Sequence, residues 1–181
     1  LFTPSTLNWE ETGLKLTMET DFPVTNNVKL IINESGSFNK DICIRYPSWV
    51  EEGGIAITIN GAKQKISAKP GEIIKLSSSW AAGDEILITI PCKLRLVDLP
   101  DDINVSAIFY GPVLLAANMG EVGQSDIGFS WPQEEIKDPA PDAYFPSLMG
   151  SRKALESWII KKEGTLNFTT TGLGKNYEMQ P

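Results

Sequence analysis

The groups in this sequence that could break or make a bond are carboxylates and two thiols. Adjacent acids occur at Glu10-Glu11, Glu51-Glu52, Asp101-Asp102 and Glu134-Glu135. A glycosidase sets two carboxyl groups about 5–10 Å apart across a sugar. Neighbours on a strand point to opposite faces, and in turns they point to water. Solvated turn charges are therefore the expectation for each pair, since exposed acids are the norm. The thiols are Cys43 and Cys92, far apart in the chain and in no CxxC pair. Cys43 alternates with Ile42 and Ile44, whereas Cys92 continues the series Ile86, Ile88, Ile90. These opposed faces argue against a disulfide, which needs Cα atoms within about 7 Å and converging Cβ vectors. A nucleophilic cysteine needs a base or cation at hand, and Arg45, two residues from Cys43, is weak support. Histidine is absent. That removes the commonest general base, the commonest metal ligand and any His-containing triad. No catalytic residue, metal site or cofactor is expected from this chain alone.

Flat aromatic rings are the remaining chemistry, because they stack on sugars as well as on one another. Tryptophan stands at positions 9, 49, 80, 131 and 158. A Trp near a strand end more often plugs the end of a core, and Trp9, Trp49 and Trp80 are expected there. Trp131 and Tyr144 lie in a proline-rich stretch and are the candidates for an exposed contact, with a carbohydrate or with another domain.

These groups must be positioned by strands. Period-two alternation dominates: Leu14, Leu16, Met18, then Val28, Leu30, Ile32, then Ile42, Ile44, Tyr46, then Ile55, Ile57, Ile59. Asn60-Gly61 follows the last run and leads into a second run to Ile66, the strongest short hairpin signal, because a type I′ turn needs positive φ at both central residues. Pro70-Gly71 and Gly83-Asp84 mark turns before Ile73–Leu76 and Ile86–Ile90. Pro91 should end or bend its ladder. Leu94 and Leu96 resume the pattern, and two further runs, Ile103–Tyr110 and Val113–Ala117, flank Gly111-Pro112. Gly111 is expected to take positive φ or to allow a close chain approach. About ten short strands punctuated by turns predict an all-β chain, an antiparallel β-sandwich of jelly-roll type. The sandwich is assigned to residues 1–118.

Residues 119–181 read as an irregular extension packing on it. Pro132, Pro139, Pro141 and Pro146 lack an N–H and have a locked φ, so a wrapping loop is expected, with a short helical turn near 147–154. Two last strands are expected at Ser157–Lys161 and Thr165–Thr170.

Composition sets the outer bounds. The chain has 181 residues, 41% hydrophobic and 22% charged, with 15 Gly and 12 Pro. That excludes a disordered tail, a collagen repeat and a disulfide scaffold, and the length suffices for a core without staples. With 16 Lys and Arg against 23 Asp and Glu, the net charge is −7. No basic cluster is present, so neither nucleic acid nor an anionic membrane surface is an expected partner. No apolar run approaches the roughly 20 residues of a membrane span. The sequence opens at Leu1 without Met or a signal-peptide pattern, and reads as a piece of a longer protein.

One ordered set of segments is more specific. It runs from Leu1–Trp9 through Thr20-Asp21-Phe22-Pro23 to Ile44-Arg45-Tyr46-Pro47-Ser48-Trp49. Ile59-Asn60-Gly61, Pro70-Gly71-Glu72, Trp80–Asp84 and Tyr110–Ala116 follow. In this order the set resembles the β-sandwich part of the bacterial β-L-arabinofuranosidase family, glycoside hydrolase family 127, over about residues 1–118. The resemblance implies a preceding helical (α/α)₆ barrel that holds the active site, with a cysteine nucleophile in a zinc site and a glutamate acid/base. None of that pattern matches here, and no catalytic or metal role passes to Cys43 or Cys92. A sandwich cut from such a barrel should leave an apolar face without a partner, with Phe2, Trp9 and the proline-rich segment as candidates. The resemblance thus implies a non-catalytic accessory domain of an enzyme acting on arabinose-containing plant glycans, in a periplasmic or secreted setting. An autonomous carbohydrate-binding module and a hydrolase acting alone are the alternatives.

Overall fold

The computed structural model describes residues 2–120 and 148–181. Among the described residues the regular elements are strands apart from one 3₁₀ turn, and the strand pairs are antiparallel, as the alternation predicts. Two compact units divide the chain, Leu1–Leu114 and Leu115–Pro181.

In the first unit, the main sheet contains β1 (Ser5–Trp9), β2 (Leu14–Thr20), β3 (Asn27–Glu34), β5 (Ala56–Ile59), β6 (Ala62–Lys63) and β8 (Glu85–Thr89). Their order is β1-β2-β3-β8-β5-β6. A second, two-stranded sheet pairs β4 (Ile42–Arg45) with β7 (Ile73–Leu76). Cross-strand register places like with like: Val28 opposes Ile88, Leu30 opposes Ile86, and Ile57 opposes Ile88. In the smaller sheet Ile44 opposes Ile74. All of these are buried in one cluster that also takes in Tyr46, Leu76 and Trp80. Each such side chain contributes roughly 1.5–3 kcal/mol when fully buried. Two sheets sharing one apolar interior make the layered, sandwich-like arrangement that the alternation predicts. The outer face carries Lys29 and Glu85, ion-paired at 2.6 Å.

The turns follow their residues. Asn60 and Gly61 have φ of 50° and 81°, both in the left-handed region that a type I′ hairpin requires, and join β5 to β6. Gly71, at φ 93°, closes a turn in which the Glu72 N–H donates to the Lys69 carbonyl at 3.0 Å. β8 ends at Thr89, two residues before Pro91. A hairpin of β9 (Leu94–Asp98) and β10 (Ser106–Tyr110) follows. Residues 103–105 precede β10, because the Val105 N–H turns back to the Asp102 carbonyl at 3.1 Å.

The second unit contains β11 (Val113–Ala117, which begins at its border), β12 (Ile159–Lys161), β13 (Phe168–Thr170) and β14 (Glu178–Gln180). Within it the order is β12-β13-β14-β11. The helical turn expected at 147–154 is instead a 3₁₀ turn at Leu155–Ser157. There the Trp158 ring packs on Gly150 and its Nε1 donates to the Ser151 carbonyl at 2.9 Å.

Candidate functional site

Among the described residues the paired carboxylates lie on the surface. Glu10, Glu11, Glu51, Glu52, Asp101 and Asp102 are all exposed, and Glu134-Glu135 lies outside the described residues. Cys43 is exposed on β4, and Cys92 is buried, as their alternation implies. Neither is in a disulfide. Among the described residues no three His, Cys, Asp or Glu side chains group as metal ligands would. Among the described residues no helix is long and apolar enough to cross a membrane. Trp131 and Tyr144 lie outside the described residues.

The aromatic expectations divide. Trp80 is buried in the core, its Nε1 donating to the Lys40 carbonyl at 3.0 Å. Trp9 and Trp49 are half-buried and pack against that core. Phe2 and Trp9 are not an unpartnered face: Phe2 meets Phe22 edge-on at 5.7 Å, and Trp9 meets Phe38 at 6.1 Å. Phe22 in turn stacks on Trp49 at 6.4 Å.

Trp49 also walls a cleft of about 130 Å³ with Glu51, Pro91, Lys93, Leu94 and Arg95. Two segments build it. One is the loop after β4, hung on Tyr46: this buried hydroxyl donates to the Glu51 carbonyl at 2.7 Å and accepts from the Gly54 N–H at 3.1 Å. The other is the stretch past Pro91, which leaves β8 and enters β9. Across the cleft Lys93 Nζ reaches both Glu51 carboxylate oxygens at 3.1 Å. Arg95 donates through Nε and Nη2 to the Gly111 carbonyl at 3.3 and 3.2 Å. Its guanidinium lies 4.4 Å over the Phe109 ring, and partial burial lowers its pKa below the ordinary arginine value. Glu51 is the one carboxylate among the lining residues, whereas glycoside hydrolysis requires two. The cleft can hold a small polar group against an aromatic wall, and its lining holds no acid/base pair.

Sequence reasoning placed Trp49 in the core and did not single out Arg95 or the Lys93–Glu51 pair. The available signal was Arg95 itself, a charge inserted between Leu94 and Leu96 where alternation continues. A second cleft, about 310 Å³, lies along β7 between Lys65, Ile66, Glu72 and Lys75, and again has a single carboxylate.

Comparison with known proteins places this arrangement. A family model described as the β-L-arabinofuranosidase GH127 middle domain matches residues 1–92. Comparison with curated proteins finds no match. Among solved structures, a glycoside hydrolase is similar at 26% identity with a TM-score of 0.52, covering 61% of this chain and 19% of its own. A GH127 β-L-arabinofuranosidase from Geobacillus stearothermophilus T6 shares the fold at 21% identity and a TM-score of 0.50, covering 65% of this chain and 20% of its own. A further GH127 β-arabinofuranosidase shares it at 19% identity and a TM-score of 0.51, covering 63% and 21%. The chain thus spans about a fifth of the length of these solved relatives.

Proposed function

This chain belongs to the GH127 β-L-arabinofuranosidase middle-domain family, and from that membership we propose that it is a non-catalytic accessory domain of a glycoside hydrolase acting on arabinose-containing plant glycans, where it braces the catalytic barrel. The observation that carries this is one of proportion. The middle-domain model takes up residues 1–92, and the solved relatives give only about a fifth of their length to the part that resembles this chain. The cleft supports the same reading, because the single carboxylate among its described lining residues is held by Lys93. The partner is then the catalytic domain of the same polypeptide, and the setting is that of a periplasmic or secreted glycan-degrading enzyme. No cofactor is assigned to this chain.

A second reading, an autonomous carbohydrate-binding module, is favoured by the Trp49 cleft, with Trp131 and Tyr144 as further contacts. Calorimetric titration of the folded chain with arabinose-containing oligosaccharides, followed by product analysis, separates the readings. The accessory role expects no heat and no product. Saturable heat without product selects the binding module, and turnover by this chain alone overturns both.

A further inference from the structure

We infer that the β9–β10 hairpin is the surface through which this unit docks on the catalytic domain of its own polypeptide; this rests on the accessory reading above and names the surface it uses. Directly opposed residues of an antiparallel pair share a face. Leu96 opposes Ile108 and Leu94 opposes Tyr110, whereas Val97 opposes Ala107 and Arg95 opposes Phe109. The hairpin is therefore largely apolar on both faces. Strands of that kind belong where both faces are covered. Yet no residue of β9 or β10 is buried, and none joins the core cluster or packs against it.

The same character continues past the strands, where the Leu99 N–H donates to the Val105 carbonyl at 2.9 Å. Val97 is 41% exposed, Leu99 44%, Ile103 71% and Val105 48%. Large apolar side chains concentrated in this way mark an interaction site. The rim is acidic, with Asp98, Asp101 and Asp102 and no Lys or Arg from Leu96 to Tyr110. The facing surface should therefore be apolar at its centre and carry Lys or Arg at its edge. The length of the relatives identifies the occupant. About four fifths of each solved chain lies outside the part that resembles this one, and the middle-domain match stops at residue 92, just short of β9.

The test compares amide exchange over residues 94–110 in the 181-residue chain and in the full-length enzyme. We expect exchange at least ~10-fold slower in the full-length enzyme. The double substitution Leu99→Asp with Ile103→Asp should restore fast exchange there and lower the melting temperature of the whole enzyme. Leu7→Asp, at an equally exposed apolar position on β1, should do neither. Equal exchange in the two chains overturns the proposal. Equal protection in both also overturns it, and assigns the cover to this chain's own residues or, if protection grows with concentration, to a second copy. Hydrolysis of an arabinose-containing oligosaccharide by the full-length enzyme is measured alongside. If hydrolysis occurs and the hairpin is unprotected, only the docking surface is wrong. If hydrolysis is absent, the accessory reading itself fails.

Discussion

Gly111 takes a φ of 55°, and a Cβ built on it would come 2.6 Å from the Cys92 Sγ and 3.4 Å from the Trp49 ring. Both the left-handed backbone and the missing side chain are therefore required, and the Tyr110-Gly111-Pro112 spelling made the position legible in advance. Gly111→Ala should destabilise the first unit by more than ~1 kcal/mol, a fall of roughly 2–4 °C or more in its melting temperature. Adding Cys92→Ala to that variant should recover part of the loss, because the nearest clash goes while the backbone strain stays. An unchanged melting temperature for the single variant would remove this account. The two thiols give a second reading at the same scale. Cys43 is exposed and Cys92 lies under Gly111, so a thiol reagent should modify Cys43 at once and Cys92 only at the rate of opening. Prompt modification of both thiols in the folded chain would show that Cys92 is not sealed.

Turns and loops carry the sandwich, and side chains lock them to one another. Asn60 Nδ2 donates to Asp84 Oδ1 at 2.8 Å, the Asn60 Oδ1 accepts from the Glu85 N–H at 2.9 Å, and Asp84 Oδ2 accepts from the Ala81 N–H at 2.8 Å. The Ala81 N–H, and after it the Asn60 amide, hold the Asp84 carboxyl below its ordinary pKa. The folded chain thus favours the charged carboxylate. Its stabilisation is full above the unfolded value of about 3.9 and is lost as pH falls through the lower folded value. The melting-temperature advantage of the native chain over Asp84→Asn should therefore be present at neutral pH and vanish at the acid end; a pH-independent difference would refute the linkage. Tyr46 holds the loop after β4 in a similar way. Tyr46→Phe removes the hydroxyl from the Glu51 carbonyl and from the Gly54 and Ile55 N–H groups, while the Gly54 N–H keeps its 2.9 Å bond to the Glu51 carbonyl, so the change should cost about 0.5–1.5 kcal/mol in chemical denaturation. A loss under ~0.5 kcal/mol would mean that water replaces the hydroxyl. Elements with strong alternation or turn chemistry were legible in this way: β3, β8 and the Asn60-Gly61 hairpin follow directly from their residues. β1 was not, because Ser5–Trp9 is an edge strand without a buried residue and so shows no two-fold pattern. β14 was missed because its three residues bury only Met179. Ile103 looked like the start of a strand, but it is 71% exposed and lies in the loop before β10.

At the scale of the molecule, the cleft was less legible than the fold, because it joins residues that pattern alone does not connect. Glu51 and Lys93 meet only because the loop after β4 and the segment after Pro91 come to the same place, and no local spacing encodes that meeting. Among the described residues the two units also differ in how many side chains are buried. The first has a fifteen-residue buried cluster, from Leu14 to Ile90, drawn from both of its sheets. In the second, the described buried residues are Leu115, Leu155, Trp158, Ile159, Phe168, Thr170 and Met179. Its strands β12, β13 and β14 are three residues long. Short ladders over a small apolar set open at lower free energy than long ladders over a large one. Thr170 shows that the smaller unit is nevertheless specific. It is fully buried, and its hydroxyl accepts from the Tyr177 N–H at 2.8 Å while its own N–H donates to the Tyr177 carbonyl at 2.9 Å. The buried polar group is satisfied, so the second unit should be a folded element of lower stability and not a collapsed one. Native-state hydrogen exchange should then find β13 amides exchanging at least ~100-fold faster than those of Val28–Ile32 in β3, with the gap closing as denaturant approaches the global midpoint. Equal rates under native conditions would mean that both units open together, and the difference in buried apolar area would no longer rank their stabilities.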